Sequence, residues 1–585
     1  MKKLLITLIL LLYFPTLAAQ ELSFASGTWY NALRGGEGFV VQILPDNRAF
    51  VAWFTYPPEG EEGEQAWMIG AGTTSGNEIS ITTMERPIGA VFGPDFDPSS
   101  VIRLPWGTLN IVFHNCNSAT VSWSGMEGFG SGSMDLTRLS TLDGVGCDAR
   151  GAANPNRVIS GRSGTFFDPS HDGEGWMMEM LEDGRIVVYW FTYDGFGRQA
   201  WMIGVGEIRG RTLWIEDMQI ASGTHFGDAF VPQDVVLTHW GSYGFFYETC
   251  DMTSVRYASV FEEYGSGALN GVRLSILEDT NCGAPDPVAP LNGGQWQLNP
   301  QGEMAVPSSE SVSVTVNDMV YLYGGFGAPQ SLRRYDPTNG SFTDLASPSA
   351  GRHHPMMATD GRHLYAAGGY STGVNIDGAE SNFWRYDIEK DVWEDLPDLP
   401  QRRAAGAAVY AHSRIYIIGG EGIGNGILVW DIAKSEWSSF TGNPVAFPDH
   451  TNAVVFENEI WQIAGRGNRG VSDESFIWNP VSQEWRDGPS LKFARSGYAA
   501  RVVQGQIMVS GGEIINGVNF NVVNTTEVYA PGNDEWAQAA SMTLGVHGTS
   551  GASVGGNLVL LGGSSVGGST NPEGAIQIYI PMVIP

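Results

Sequence analysis

The chain has 585 residues, more than one hydrophobic core normally organises, so several domains are expected. Its net charge of −31 comes from 63 acidic against 32 basic residues, and such a surface repels phosphate backbones and anionic lipids. Nucleic acid is therefore not an expected partner. The 77 glycines and the many aromatic residues favour strands and turns over helices, which predicts an all-β fold class.

Residues 1–19 have the layout of a secretory signal peptide. Two lysines precede an apolar run, and small residues follow around a cleavage point at Ala18 or Ala19. The apolar run is shorter than the ~20 residues that a membrane span needs, and no later segment reaches that length. We expect a protein that is secreted or periplasmic and has no membrane span.

The region before residue 284 contains two copies of one module, at 24–148 and 161–283. The pieces "GEG", "WFTY" and "QAWMIG" occur in both copies in the same order and at nearly constant offset. Stretches rich in β-branched and aromatic residues are bounded by turn sequences such as "PDNR" and "EDGR". Each copy is therefore predicted to be a small antiparallel β sandwich or barrel.

Each copy carries one pair of cysteines, which favours the disulfides Cys116–Cys147 and Cys250–Cys282 in an exported protein. Each copy also carries three matched tryptophans. They are interpreted as core residues, with an exposed carbohydrate-binding platform as the alternative. The tryptophans are Trp53, Trp67 and Trp106 in the first copy, and Trp190, Trp201 and Trp240 in the second.

The remaining region, 293–585, is built from six repeats with a period near 50 residues. In five of them an apolar run ends in a glycine pair, as in "VYLYGG" and "LYAAGG", and "IWQIAGRG" is a degenerate sixth. A strand-like piece with an aromatic residue follows, as in "FWRYDI", and then a Trp-led piece such as "VWEDL". This pattern resembles the Kelch repeat, which implies a six-bladed β-propeller with four strands in each blade.

The sixth repeat lacks its Trp-led strand, because only "MVIP" follows "AIQIYIP". The stretch "GGQWQL" around Trp296 is predicted to supply that strand from the start of the domain, which would close the ring. A short linker, 284–292, then separates the second module from the propeller.

The propeller face with the longer, more varied loops is the candidate binding face, because function concentrates on loops held by a rigid scaffold. Polar residues at the ends of the blade connections, or just after the glycine pairs, are expected around the channel mouth on this face. The candidate ligand-binding residues are Arg352, His354, Arg402, Arg403, Glu421, His450, Arg466, Arg495, Glu513 and His547. The alternative for each arginine and histidine is a structural bridge to backbone carbonyls of an adjacent blade.

No cofactor and no metal are expected from the sequence patterns. A copper oxidase of the Kelch type needs a cysteine in the propeller, and none lies beyond residue 282. There is no His-Glu-x-x-His run, and the histidines lie on different blades without ligand spacing. No residue is therefore assigned a catalytic role.

The favoured function is an exported propeller protein that recognises a glycan or a protein on its variable-loop face. The resemblance to Kelch proteins also implies an alternative, since some exported bacterial members are sialic-acid mutarotases. A sugar epimerase or mutarotase would need only acid–base groups around a sugar pocket. A structural cell-surface or matrix protein is the third possibility.

Overall fold

The computed structural model describes residues 22–581 except 94–95, 127, 146–159, 248, 281, 283–286, 374, 423–425, 443, 445–447, 468–469 and 517–518. Two closed eight-stranded barrels are followed by six four-stranded sheets. The expected all-β fold class is confirmed, and each N-terminal module is a barrel and not a sandwich. The predicted signal peptide lies outside the described residues, as does part of the predicted linker. No helix in the described part of the chain has the length and apolarity to span a membrane.

The first barrel is a meander in which each strand pairs with the next and β8 closes on β1. Its strands are β1 Gly27–Tyr30, β2 Gly38–Leu44, β3 Arg48–Thr55, β4 Ala66–Ser75, β5 Glu78–Ile88, β6 Ile102–Asn115, β7 Ser118–Gly125 and β8 Ser131–Arg138. Asp46 and Asn47, in the predicted "PDNR" turn, both have positive φ, as a tight hairpin between twisted strands requires.

The second barrel repeats this meander, with β16 closing on β9. Its strands are β9 Gly164–Phe167, β10 Gly175–Met180, β11 Arg185–Tyr193, β12 Gln199–Arg209, β13 Thr212–Ser222, β14 Val236–Tyr247, β15 Met252–Ser259 and β16 Ser266–Arg273. Short 3-10 turns lie at Leu22–Ala25, Pro98–Ser100, Ser160–Arg162, Pro169–His171, Gly227–Ala229 and Pro232–Asp234, with a seventh in the propeller at Ile376–Gly378.

The repeated "QAWMIG" motif joins the two barrels by reciprocal hydrogen bonds. The Gln65 side chain donates to the Trp201 carbonyl and accepts from the Trp201 N–H, and Gln199 does the same with Trp67. The six matched tryptophans are all buried, so they are core and interface residues and form no exposed carbohydrate platform. The repeat is explained by a pseudo-twofold interface that needs the same residues on both sides.

The disulfide Cys250–Cys282 is present, as predicted, and ties the end of β14 to the end of the second barrel. The predicted Cys116–Cys147 disulfide lies outside the described residues, because Cys147 does.

The barrel interface also buries a carboxyl group whose ionisation should control stability. Glu179 accepts hydrogen bonds from the Thr28 hydroxyl at 2.9 and 3.0 Å, while burial raises the pKa of Glu179 from 4.5 to about 7. The matching position of the first barrel is Gln42, whose amide oxygen accepts from the Thr165 hydroxyl at 2.9 Å. An uncharged glutamine therefore already accepts the equivalent hydrogen bond in the first barrel.

We expect Glu179→Gln to stabilise the barrels by about 3 kcal/mol at pH 8 and to change little near pH 4.5. The folded state holds the Glu179 proton after the unfolded state has lost it, so wild-type stability falls as pH rises from about 4.5 to 7. The measurement is the barrel unfolding transition across this pH range in both proteins. Parallel stability curves would contradict the assignment.

The propeller contains six four-stranded antiparallel blades, numbered here from the chain's first complete one. Blade 1 is β18 Val312–Val316, β19 Met319–Tyr323, β20 Leu332–Asp336 and β21 Ser341–Leu345. Blade 2 is β22 Met356–Thr359, β23 His363–Ala367, β24 Phe383–Asp387 and β25 Val392–Leu396. Blade 3 is β27 Ala407–Ala411, β28 Arg414–Ile418, β30 Ile427–Asp431 and β31 Glu436–Phe440.

Blades 4 and 5 complete the series before the shared last blade. Blade 4 is β32 Asn452–Phe456, β33 Glu459–Gly467, β34 Gly470–Asn479 and β35 Glu484–Gly488. Blade 5 is β36 Ala499–Val503, β37 Gln506–Ser510, β40 Thr526–Tyr529 and β41 Ala537–Ala539. Two small ribbons, β26 Arg403–Ala404 with β29 Glu421–Gly422 and β38 Glu513–Asn516 with β39 Asn519–Val522, rise on the variable-loop face.

The last blade is closed by a strand from the start of the domain, as predicted. It consists of β42 Ser550–Val554, β43 Asn557–Leu561, β44 Ile576–Ile580 and β17 Gln295–Leu298. Trp296 pairs with Tyr579 across this sheet, and its indole N–H donates to the Thr526 hydroxyl at 3.0 Å in blade 5. The ring is thus held shut by both ends of the domain.

The second barrel docks on the propeller face that carries the short turns. Trp214 stacks on His412 with ring centroids 4.2 Å apart, and the Asn458 side chain donates to the Thr212 carbonyl at 2.9 Å. His412 and Asn458 lie in the turns between the first and second strands of their blades. The second barrel therefore docks on the short-turn face at blades 3 and 4, and these contacts leave the variable-loop face open.

Candidate functional site

Six residues, one at the entry to the innermost strand of each blade, form a closed ring of backbone hydrogen bonds around the channel. Each residue's N–H donates to the carbonyl oxygen of its counterpart in the preceding blade, over 2.6–3.0 Å. All six have positive φ, which turns their backbone groups around the circle. The ring residues are Glu310, His354, Ala405, His450, Gly497 and Gly548.

Only three ring positions carry polar side chains, and these three converge. Nε2 of His354 lies 3.0 Å from Nε2 of His450 and 3.3 Å from Oε2 of Glu310. The smaller ring residues leave room for this arrangement. A Cβ added at Gly548 would collide with the Glu310 carboxylate, so a glycine there is required for the side chain to fold over the ring.

Four more ionisable side chains surround these three, and together the seven are called the mouth cluster. Arg466 donates to Asp449 at 2.6 Å and lies 3.6 Å from Glu513. His547 lies 3.5 Å from Glu310 and 3.7 Å from Glu513 through its Nδ1. The cluster thus comprises Glu310, His354, Asp449, His450, Arg466, Glu513 and His547.

The protonation states inside the cluster follow from burial and neighbouring charge. Burial lowers the pKa of His354 to about 3, so its imidazole is neutral at physiological pH. Burial would also lower the pKa of His547, but the hydrogen bond and charge of Glu310 raise it above its usual value. Burial would raise the pKa of Glu310, yet the imidazoles of His354 and His547 hold it well below its ordinary range.

A carboxylate paired with a phenol and a row of aromatic rings flank the cluster. The Tyr370 hydroxyl donates to Glu421 at 2.7 Å, and burial together with Glu421 raises the pKa of Tyr370. Phe326 stacks on His353 with ring centroids 4.4 Å apart, and His353 lies against Tyr370 at 5.4 Å. The mouth therefore presents both hydrogen-bonding groups and flat apolar surface.

Three of the proposed binding arginines are buried within the blades and bond to backbone carbonyls. Arg403 donates to the carbonyls of Gly419 and Gly426, and Arg495 donates to those of Gly511 and Thr525. Arg352 donates to the Gly351 carbonyl and to the Asn382 side chain. These arginines hold strands together, as the alternative interpretation had it, whereas Arg402 is exposed.

The structure thus brings together five of the ten predicted site residues, namely His354, His450, Arg466, Glu513 and His547, with Glu421 close by. Sequence reasoning missed Glu310, Asp449 and Tyr370. A signal for Glu310 was present, because it precedes Gly324 by fourteen residues, as His354 precedes Gly368 and His450 precedes Ala464. Aligning the repeats on their glycine pairs would have placed all three on one ring.

Comparison with known proteins agrees with this architecture. A family model described as "Kelch motif" matches residues 351–400, which contain blade 2. The chain is 26% identical over 330 residues to Kelch-like protein terF of Aspergillus terreus, covering 50% of this chain and 70% of that protein. It is 26% identical over 258 residues to Kelch-like protein 40 of Xenopus tropicalis, covering 42% of this chain and 41% of that protein.

The chain therefore spans about two fifths of the length of that Xenopus relative. Among solved structures, "Structure of YjhT" aligns with a TM-score of 0.41 at 17% identity, covering 48% of this chain and 95% of that one.

Proposed function

Because the C-terminal domain is a six-bladed Kelch-repeat β-propeller, we propose that the chain is an exported binding protein that recognises a neutral glycan at the channel mouth. One observation carries this proposal: hydrogen-bonding side chains from several blades converge beside aromatic rings on the face that the barrels leave open. The layout of the first 19 residues supports export.

The charges at the mouth favour a hydroxyl-rich ligand over a sugar acid. Glu310, Glu421 and Asp449 offer partly exposed acceptor oxygens, the buried Glu513 adds a fourth negative charge, and Arg466 is the one arginine among the described cluster residues. Carboxylates accept hydrogen bonds from sugar hydroxyls but repel an anionic ligand. Stacked rings such as Phe326 and His353 suit the apolar face of a pyranose.

The barrels support the propeller from the face opposite the channel mouth. The second barrel docks through the short-turn face, so it holds the propeller without narrowing access to the mouth. Most aromatic residues of the barrels lie in their cores and in the barrel interface. We therefore assign them the role of a rigid spacer.

The test is a glycan array followed by calorimetry on the full chain, with Glu421→Gln as the site variant. We expect binding of a neutral glycan that Glu421→Gln weakens about tenfold, because a charged acceptor of sugar hydroxyls is lost. Glu394→Gln is the matched control, since Glu394 pairs with Arg385 on an outer strand away from the mouth. Preference for sugar acids, or equal binding by both variants, would contradict the proposal.

A sugar mutarotase is the second candidate, and the Tyr370–Glu421 pair favours it. The Glu421 carboxylate, held by the buried Tyr370 hydroxyl, can take a proton from a sugar hydroxyl and return it to the ring oxygen. NMR of anomeric exchange, run on any sugar found to bind, separates the two functions. Faster exchange that disappears in Tyr370→Phe would establish catalysis, and binding without faster exchange would exclude it.

A further inference from the structure

The innermost part of the mouth cluster has the ligand set and spacing of a transition-metal site. We propose that Glu310, His354 and His450 bind one divalent ion of the zinc type. This inference goes beyond glycan binding and does not depend on it, and it departs from the sequence analysis, which expected no metal.

The distances support this assignment. Two ligands of a tetrahedral zinc ion, each bonded at about 2.0–2.1 Å, lie about 3.3 Å apart. The Nε2 atoms of His354 and His450 are 3.0 Å apart, and Oε2 of Glu310 is 3.3 Å from Nε2 of His354. All three ligand atoms lie within 4.8 Å of one another. A small rotation of the Glu310 or His450 side chain would complete the triangle.

The donor set fits the same ion. Two imidazole nitrogens and one carboxylate oxygen bind zinc and its first-row neighbours, with further positions open to water or a ligand. The three side chains project from a hydrogen-bonded backbone ring, so their origins are fixed before any ion arrives. The small residues Ala405, Gly497 and Gly548 occupy the other ring positions and add no polar side chain to the triangle.

Outer groups are placed to orient the two imidazoles. Nδ1 of His450 lies 3.2 Å from the Asp449 carboxylate but is not aligned for a hydrogen bond to it, and a carboxylate is the partner that a metal-bound histidine commonly has. Nδ1 of His354 lies 2.8 Å from Nδ1 of His353. Neutral His354 can bind an ion through Nε2 when its proton is on Nδ1 and Nδ1 of His353 accepts the hydrogen bond.

Arg466 opposes a bound cation from the histidine side of the site, since its guanidinium lies 3.5 Å from Nε2 of His450, and His547 lies beside Glu310 at 3.5 Å. The ion pairs of Arg466 with Asp449 and Glu513 draw it toward those carboxylates and reduce the opposition. Removing this cation should therefore strengthen ion binding without removing a ligand.

The test uses the untagged, metal-stripped full chain, titrated with Zn²⁺ by calorimetry and with Co²⁺ by visible absorption. We expect one equivalent to bind, with the intense absorption of tetrahedral Co²⁺. His354→Gln and His450→Gln should each weaken affinity at least tenfold, and Arg466→Met should tighten it. His363→Gln is the matched control, because His363 also pairs with a carboxylate, Asp360, but sits on the second strand of blade 2.

Thermal melts without metal separate loss of folding from loss of a ligand, and the Arg466→Met result stands even where a histidine variant misfolds. Failure of the wild-type chain to take up one equivalent would overturn the proposal. So would equal uptake by the His450→Gln and His363→Gln variants. In either case the three residues form a hydrogen-bond network alone. No sugar is present, so the result is independent of the glycan test.

Discussion

Deleting residues 293–299 should lower the propeller's free energy of unfolding by about 4 kcal/mol or more, since it removes a whole paired strand together with a partly buried tryptophan. The deletion removes β17, whose four residues pair with β44, and it removes Trp296 from its contact with Tyr579. The last blade would be left with an unpaired edge and without the strand that ties it covalently to the start of the domain. Calorimetry of the propeller transition measures the effect.

The point variant Trp296→Ala should reproduce about half of this loss, because the indole is partly buried and also gives up its hydrogen bonds to blade 5. Leu298→Ala is the matched control on the same strand, since Leu298 is 52% exposed. A deletion protein that melts like the intact one would show that closure by β17 contributes no stability.

Replacing Arg495 with methionine should destabilise the propeller by about 4 kcal/mol, because it leaves the buried carboxylate of Glu527 without its partner cation. Arg495 and Glu527 form an ion pair at 2.7 Å, and both side chains are 0% exposed. Arg495 also donates to the carbonyls of Gly511 and Thr525, so these two hydrogen bonds are lost as well. Denaturant unfolding of the full chain, followed at the propeller transition, gives the difference.

Two controls identify the cause of that loss. Arg209→Met should change stability by less than about 0.5 kcal/mol, because the Arg209–Glu207 pair is 62% exposed on both sides. The double variant Arg495→Met with Glu527→Gln should recover part of the loss, since no buried charge is then left without a partner. If the double variant were less stable than Arg495→Met alone, the loss of stability would come mainly from the lost hydrogen bonds to the Gly511 and Thr525 carbonyls, and not from the unpaired Glu527 charge.

Much of the fold was predictable because it repeats. The glycine pairs mark the ends of the second strands. The sixth repeat lacks its Trp-led strand, and the stretch around Trp296 is the remaining segment that can supply it. The duplicated "QAWMIG" motif likewise indicates two equivalent modules. Sandwich and barrel could not be separated, because both bury alternating strands in the same way and differ only in whether the first strand meets the last.

The site was predictable only in part, for a physical reason. An arginine near a blade connection has the same sequence neighbours whether its guanidinium reaches into the channel or back to a carbonyl. Arg403 and Arg495 reach the carbonyls of their own blades, whereas Arg466 reaches the mouth. Side-chain direction depends on the backbone conformation at each position in the folded blade, which the sequence pattern does not reveal.

The sequence by itself determined the all-β class, the duplicated modules, the six blades and the closing strand. A fold that buries residues at regular intervals requires apolar and glycine residues at the same intervals in the sequence. Tertiary structure alone decided the convergence of Glu310, His354 and His450. These residues are separated by 44 and 96 positions, and only the closed ring of backbone hydrogen bonds brings blades 1, 2 and 4 to one point. Ring closure is a property of all six blades together, so no local stretch of sequence encodes it.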